Sequence, residues 1–403
     1  MTDQDLFAPE VQRDPYSYYG NLRETDPVCW NSRHSLWLLT RHDDLVWMLK
    51  NPDIFSSAYI ANDTRPPYPE IYHDHFLYFE RVRNFFGQML AQNDQPDHQV
   101  VRHLLHRSFT PQAVESWRPL VAQTVESLID QISPGQDIDL LSEFALPLPL
   151  RVIADLLGIT APDYELIREV SEKFNQFNHP EPDRMLRIDA GISELNNLLE
   201  PLIRKRQGKP RGDLLSDLAV GVESGVINMA AAVANAALIL VAGHETTINL
   251  ICNGVLAFAR HPEQWDRLRN GSGGAGRLAT EECLRYDGPV KTTSRLLVRD
   301  VVCRERELRA GERVRWVTAS ANRDPRRFQS PELFDISRDP NPHLSFGLGV
   351  HHCLGANIAR LEGQEAFMGL ARRFASVDLV DNELRYQPNL NSRSLRELWV
   401  TLN

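Results

Sequence analysis

The chain has 403 residues, 42% hydrophobic and 24% charged, an ordinary balance for a soluble globular protein. Its formal net charge of −10 and the lack of a long basic stripe exclude a phosphate-neutralising nucleic-acid binder. No membrane association is expected, since the longest apolar stretch, near 229–242, contains Asn235 and falls short of a bilayer span. Five dispersed cysteines (Cys29, Cys252, Cys283, Cys303, Cys353) form no C-x-x-C pair, and the start M-T-D-Q-D-L-F lacks the features of a signal peptide, so a reducing, cytoplasmic location is expected.

Residues 27–40 predict two short strands around a polar turn, with Trp30 and Trp37 favouring β structure, and a short helix follows over 43–50. Between 55 and 95 the period is lost. Pro66, Pro67 and Pro69 cannot continue a helix or a central strand, and an aromatic-dense run from Tyr72 to Phe86 resumes helical spacing. Such a connection in a compact protein reads as a binding loop or lid. Residues 97–109 predict an amphipathic helix ended by Thr110-Pro111, on which His98 and Arg102, four apart, share a face. Taken alone, that face is a solvated polar stripe.

Residues 112–205 are helical by pattern, with breaks at Ser133-Pro134-Gly135, at Pro147 and Pro149, near Gly158 and at Asn178-His179-Pro180. The last break separates two amphipathic helices, 164–177 and 183–206, and a polar connector follows over 207–213. The longest helix, 227–260, is apolar nearly all round and so runs through the core. Its centre, Ala242-Gly243-His244-Glu245-Thr246-Thr247, breaks the pattern. A glycine there costs about 1 kcal/mol against alanine, a charged side chain is rare in a core, and a hydroxyl can bond back to the carbonyl four residues earlier. Either a local groove with a proton donor beside it or a kink held by packing accounts for this. Glu282 and Arg285 have the i, i+3 spacing of an ordinary exposed pair. Short strands at 296–303 and 312–319, an irregular segment from Ala321 to Asp335, and a final hairpin around Leu390–Leu395 whose tip reaches a pocket complete the expected elements.

Residues 346–355 read F-G-L-G-V-H-H-C-L-G, followed by a helical pattern. Gly347, Gly349 and Gly355 permit turns with positive φ and let a flat group lie close to the backbone. Cys353 just before a helix N-terminus meets a positive dipole and free N–H groups, both favouring thiolate. A thiolate so held is what an axial ligand to haem iron needs, while an inert buried cysteine is the plainer alternative. The complete pattern F-G-x-G-x-H-x-C-x-G resembles the cysteine-ligand loop of the cytochrome P450 family, and motifs in the family's order extend the resemblance over essentially the whole chain.

The resemblance implies a mainly α fold with small β-sheets (α+β), a single haem domain over 1–403, and haem b between the long central helix and the loop of its axial ligand Cys353. With no C-x-x-C-H present, the haem is expected to be non-covalent. His98, Arg102, Arg295 and His351 match the family's propionate-binding positions, and Ala242, Gly243, Phe346, Gly347 and Gly355 complete the cofactor site. A-G-x-E-T-T is similar to the oxygen-activation motif, with Glu245 as acid and Thr246 as alcohol. Glu282 and Arg285 correspond to the pair that buttresses the cysteine loop. Leu333 stands where many members carry an arginine completing a triad, and Arg338 and Arg323 are the candidates to replace it.

The activity so implied is a haem-thiolate monooxygenase that inserts one oxygen atom from O2 into a small, largely apolar organic substrate. No reductase segment follows residue 403, so electrons are expected from a separate donor, a ferredoxin with its reductase, docking near Arg107, Arg326, Arg327 and Arg360. The helices over 164–205 would roof the substrate pocket. Phe85, Phe86, Phe174 and Phe177 are the candidate aromatic walls, with core filling as the competing reading of each ring. Val290, Lys291 and Thr292 would approach the haem from another side, Lys291 or Thr292 anchoring a polar group. A peroxide-driven oxidant is disfavoured by Glu245 and Thr246, because peroxide brings its own oxygen, protons and electrons. A haem-binding sensor or carrier needs no acid and alcohol inside its longest helix. Neither G-x-S-x-G nor H-E-x-x-H, the marks of two hydrolase classes, occurs.

Overall fold

The helix Met229–Arg260 is the axis on which the other elements pack. A computed structural model describes residues 1–62, 76–159, 164–179, 181 and 183–403, excluding the side chains of Phe76, Leu77 and Phe177. The expected proline run at 66–69 therefore lies outside the described residues. The Asn228 side chain caps the helix, accepting from the Ala231 amide at 2.8 Å. Its all-round apolar surface is explained by neighbours on every side: Pro147–Leu157, Arg184–Arg206, Leu214–Glu223, Ala275–Tyr286 and Ala356–Arg373. By length and composition it could cross a membrane, more than the stretch 229–242 suggested, but most of it is buried inside the fold, as a core helix is.

The described residues form ten strands: β1 (Val28–Asn31), β2 (Leu36–Leu39), β3 (Phe55–Ser56), β4 (Asp137–Asp139), β5 (Thr292–Leu297), β6 (Val301–Cys303), β7 (Arg306–Leu308), β8 (Arg313–Val317), β9 (Val377–Leu379) and β10 (Trp399–Leu402). They make a five-stranded sheet in the order β1-β2-β8-β5-β3, a three-stranded sheet β4-β10-β9, and the β6-β7 pair. The β1-β2 hairpin is the expected one. The strand expected from 296 instead begins at Thr292, and in its register with β8 Arg295 stands opposite Val314 and Ser294 opposite Arg315. Because side chains alternate along a strand, Arg295 and Arg315 lie on opposite faces of this sheet.

The expected hairpin around 390–395 is present in short form: Tyr386 bridges antiparallel to Leu395, the Gln387 amide donates to the Ser394 carbonyl at 2.9 Å and the Arg396 amide to the Arg385 carbonyl at 2.8 Å, while Val290 bridges to Ser392. Pro388 has no N–H to extend the ladder, and the Asn389 side chain accepts from the amides of Asn391 (2.8 Å) and Ser392 (3.0 Å), closing a local turn at the tip.

Glu282 and Arg285 depart most from the weak surface pair that their spacing suggests in isolation, since both side chains are fully buried. Arg285 donates to both Glu282 oxygens at 2.8 Å, and to the carbonyls of Asn322 (3.0 Å), Pro331 (2.8 Å) and Leu333 (2.9 Å). Glu282 also accepts from the Asp335 amide at 2.9 Å and the Asn341 amide group at 3.0 Å. Arg338 supplies the second cation, 3.2 Å from Glu282, so Leu333 contributes only backbone. Arg323 is used otherwise: it pairs with Glu332 at 2.7 Å and stacks 3.7 Å from the Tyr16 ring centroid and 4.2 Å from that of Tyr286.

Arg285→Ala would leave the buried Glu282 carboxylate with Arg338 as its one cation and release three carbonyls. Urea unfolding should show a loss of about 3–5 kcal/mol, and an unchanged midpoint would mean that the pair does not anchor this segment.

Candidate active site

The loop before Ala356–Arg373 has its shape enforced at two glycines. Gly347 and Gly349 have φ of 66° and 74°, and a Cβ on Gly349 would stand 2.8 Å from the Leu49 carbonyl oxygen. The Cys353 amide donates to the Phe346 carbonyl at 2.9 Å, drawing the two ends of the motif together. Arg360 lies 4.5 Å over the Phe346 ring. Burial pushes the Cys353 thiol up, opposed by the Gly355 N–H and by the charges of Arg102 and Arg360. The expected bias toward thiolate is thus present but outweighed in the protein alone. A coordinating metal ion removes that proton outright. Cys353 is nonetheless exposed, unlike the other four cysteines.

Around this loop gather four basic side chains from three elements. The rings of His98, in helix Asp97–His106, and His351 lie 4.1 Å apart. Burial holds His98 down at about 4 and His351 at about 3, with the positive charges of Arg102 and Arg295 adding to the shift of each. Arg295 donates to the Ser294 carbonyl at 2.9 Å and lies 5.9 Å from the Trp316 ring centroid. Among the described residues neither Arg102 nor Arg295 pairs with a carboxylate. Two such cations beside two neutral imidazoles form a receptor for acidic groups. Together with an accessible sulfur in a glycine-shaped loop, this donor set fits an iron porphyrin bearing two carboxylate arms.

The central helix remains α-helical through its polar string. Ala242 is exposed and Gly243, Glu245 and Thr246 are half-buried, a break in an otherwise buried helix. Glu245 and Thr246 lie three and four residues after Ala242, so both border the open face at Ala242. Thr246 Oγ1 donates to the Ala242 carbonyl at 2.8 Å, the back-bond that the sequence allows. Its neighbour Thr247 points inward, donating at 3.1 Å to Oε2 of Glu362, a buried acid that burial pushes up to about 8. His244 is buried against the Leu240 carbonyl at 2.7 Å and held down at about 4 by burial.

Burial likewise pushes Glu245 up to about 7, against hydrogen bonds from Asn175 and Ser392 that pull it down. Asn175 opens the 3-10 turn Asn175–Asn178 that closes the first roof helix, Tyr164–Phe174. Ser392, 3.4 Å away, belongs to the C-terminal loop. Neither partner was legible in the sequence, and nothing but their positions near a chain break singles them out.

The aromatic candidates do meet. Phe86 stacks on Phe174 at 5.0 Å and Phe85 meets it edge-on at 6.2 Å, joining helix Phe76–Phe86 to the roof. The Phe177 side chain lies outside the described residues. Val290 is half-buried and bridges to Ser392. Thr292 donates to the Leu390 carbonyl at 2.7 Å. Lys291 departs from expectation: its ammonium is buried on Gln12 at 2.8 Å, toward the N-terminal helix Pro9–Arg13, so it offers no free anchor over the loop. Of the docking arginines, Arg360 is bound to Glu281 (2.7 Å) and Arg326 to Glu24 (2.6 Å), whereas Arg107 and Arg327 are exposed and make no ion pair with a described residue.

Comparison with known proteins agrees with this geometry. The family model "Cytochrome P450" matches residues 278–391. The "Biotin biosynthesis cytochrome P450" of Bacillus subtilis (strain 168) is 37% identical over 398 residues, 98% of each chain. The crystal structure of CalO2 superposes with a TM-score of 0.90 at 30% identity, covering 100% of this chain and 99% of that one. P450BioI, solved in complex with an acyl carrier protein bearing hexadec-9Z-enoic acid, gives 0.88 at 34% identity, covering 98% of this chain and 99% of that one.

A carboxyl raised from 4.5 to about 7 keeps its proton longer in the folded than in the unfolded chain. Its contribution to stability is therefore full below about 4.5 and is lost as pH rises through about 7. The carboxylic-acid infrared band absent from Glu245→Gln should titrate near 7, and Asn175→Ala, which removes a bond favouring the anion, should move that midpoint upward. A midpoint near the ordinary carboxylate range would contradict the assigned environment.

Proposed function

Because the chain belongs to the cytochrome P450 family of haem-thiolate oxidoreductases, we propose that it is a cytoplasmic monooxygenase placing one oxygen atom from O2 into a small, largely apolar organic molecule. Cys353 would hold the haem iron through its sulfur. The observation that carries the reading is the open face of the central helix, where an acid and an alcohol interrupt a core helix at the cost of apolar packing.

Haem, when bound, supplies O2 binding and the oxidation chemistry. The chain's own residues supply the rest. Arg102, Arg295, His98 and His351 receive the cofactor's acidic arms and fix its orientation. Thr246 offers a hydroxyl whose direction is set by the Ala242 carbonyl, and Glu245, half-buried with its acidity near neutrality, holds a proton next to it. Asn175 and Ser392 fix the Glu245 carboxyl from the roof and the C-terminal loop. Phe85, Phe86 and Phe174 exclude water on the substrate side.

A haem-loaded, reduced sample under carbon monoxide should show the red-shifted Soret band of thiolate ligation, lost in Cys353→Ala. Thr246→Ala should keep that band and yet divert most reducing equivalents to peroxide, lowering product per NADH several-fold. A band surviving in Cys353→Ala refutes the ligand, and unchanged coupling in Thr246→Ala refutes the proton path.

Electrons are proposed to come from a separate ferredoxin. A net charge of −10 repels an acidic donor at long range, so unpaired local cations carry the attraction. Arg107→Glu with Arg327→Glu should slow ferredoxin reduction about tenfold at low salt and flatten its salt dependence, while reversal at the internally paired Arg326 should matter less. An unchanged rate and salt dependence in the Arg107→Glu, Arg327→Glu variant would place the docking face elsewhere.

A further inference from the structure

The sheet face turned away from Arg295 carries a cation with no role in the site described so far. Arg315, at the centre of β8, is only 5% exposed. One terminal nitrogen donates to Thr292 Oγ1 and to Asn391 Oδ1, both at 2.6 Å, and the other to Asn178 Oδ1 at 3.4 Å. Its Nε is buried with no partner. Among the described residues no carboxylate pairs with it. The nearby acid Asp287 is already engaged by Arg393 at 2.9 Å and by the Tyr16 hydroxyl. Lys291 lies close enough to feel it: burial, with the charges of Arg393 and Arg315, pushes the lysine down to about 7.

An arginine buried among neutral oxygens is only partly compensated, and leaving a buried charge without a counter-ion is costly. Its planar fork matches a carboxylate. Two of the three oxygens now on it, those of Asn391 and Asn178, belong to the two segments that hold Glu245. The turn Asn175–Asn178 gives its first residue to Glu245 and its last to Arg315, and in the C-terminal loop Ser392 touches Glu245 while Asn391 touches Arg315. Glu245 and Arg315 thus sit on two walls closed by the same roof turn and loop, on the order of 10 Å apart given the reach of one short turn or of adjacent residues.

We propose that Arg315 anchors the carboxylate of the substrate, which is an organic acid with an apolar body. The acid group takes the places of the Asn391 and Asn178 oxygens on the guanidinium, and the body extends toward the Glu245 wall. What happens to the bound molecule rests on the monooxygenase reading, but its binding does not.

The test is calorimetric titration of the haem-loaded protein with dodecanoic acid and with methyl dodecanoate, equal in chain and different in charge. The parent should bind the acid at least about tenfold tighter, as a charge-assisted pair in a buried site gives. Arg315→Gln should remove that preference by weakening the acid alone, and Arg315→Lys should restore part of it. Asn391→Asp keeps the arginine and gives it an internal partner, so it should fold even where Arg315→Gln does not, and it too should abolish the preference. A parent indifferent to charge, or a preference that survives either Arg315→Gln or Asn391→Asp, overturns the proposal. The carbon monoxide spectrum of each sample separates the two ideas: with the thiolate band present, a missing acid preference removes the anchor alone, whereas a parent without the band removes the monooxygenase reading and leaves the anchor to be judged on the titrations.

Discussion

The buried contact between Glu282 and Arg285 is the constraint on which the cysteine loop depends. The two residues sit one helical turn apart and spend none of their hydrogen-bonding capacity on solvent: every other bond goes to the segment between Asn322 and Asn341. That segment has almost no regular secondary structure, and its short turns leave the carbonyls of Asn322, Pro331 and Leu333 and the Asp335 amide to find partners elsewhere. The ion pair supplies them, and Asn322 passes the restraint on by accepting from the Leu344 amide at 2.8 Å, just ahead of Phe346. An irregular chain is thereby held rigidly enough to present a sulfur at a defined place.

The opposite wall is built by different physics. The central helix is fixed by mainly apolar contact around most of its circumference, and the acid and alcohol are tolerated because they lie on its one open face. A rigid apolar rod and a polar-tied loop face each other, and the basic cluster is assembled from a helix, a strand and the loop itself. Such a site draws on distant parts of the chain and so requires the whole fold to be complete.

Much of this was legible in the sequence where spacing and chemistry coincide. The cysteine loop, the interruption of the longest helix and the His98–Arg102 face are local patterns, and each occupies the element expected of it. Side chains that act by pairing across long sequence distances were harder to read. Arg338 could be named only as an alternative, since nothing local shows that it reaches Glu282. Asn175 and Ser392 are ordinary polar residues until the fold sets them on one carboxyl. Lys291 was misplaced because one residue of register decides which side of a strand's end a side chain takes. The terminal hairpin is present but short, as the Asn389 side chain satisfies amides at its tip that a longer ladder would have used.

Thr246 and Thr247 are chemically identical neighbours whose hydroxyls serve different sides of one helix, one toward the open face and one inward, because successive residues point about 100° apart. The inward one joins the central helix to the helix behind the cysteine through Glu362, an acid that near neutrality retains its proton. The tie is a bond between uncharged groups, and ions in solution do not screen it. The two walls are therefore held together by a contact indifferent to ionic strength, one side chain away from a face where charge matters most.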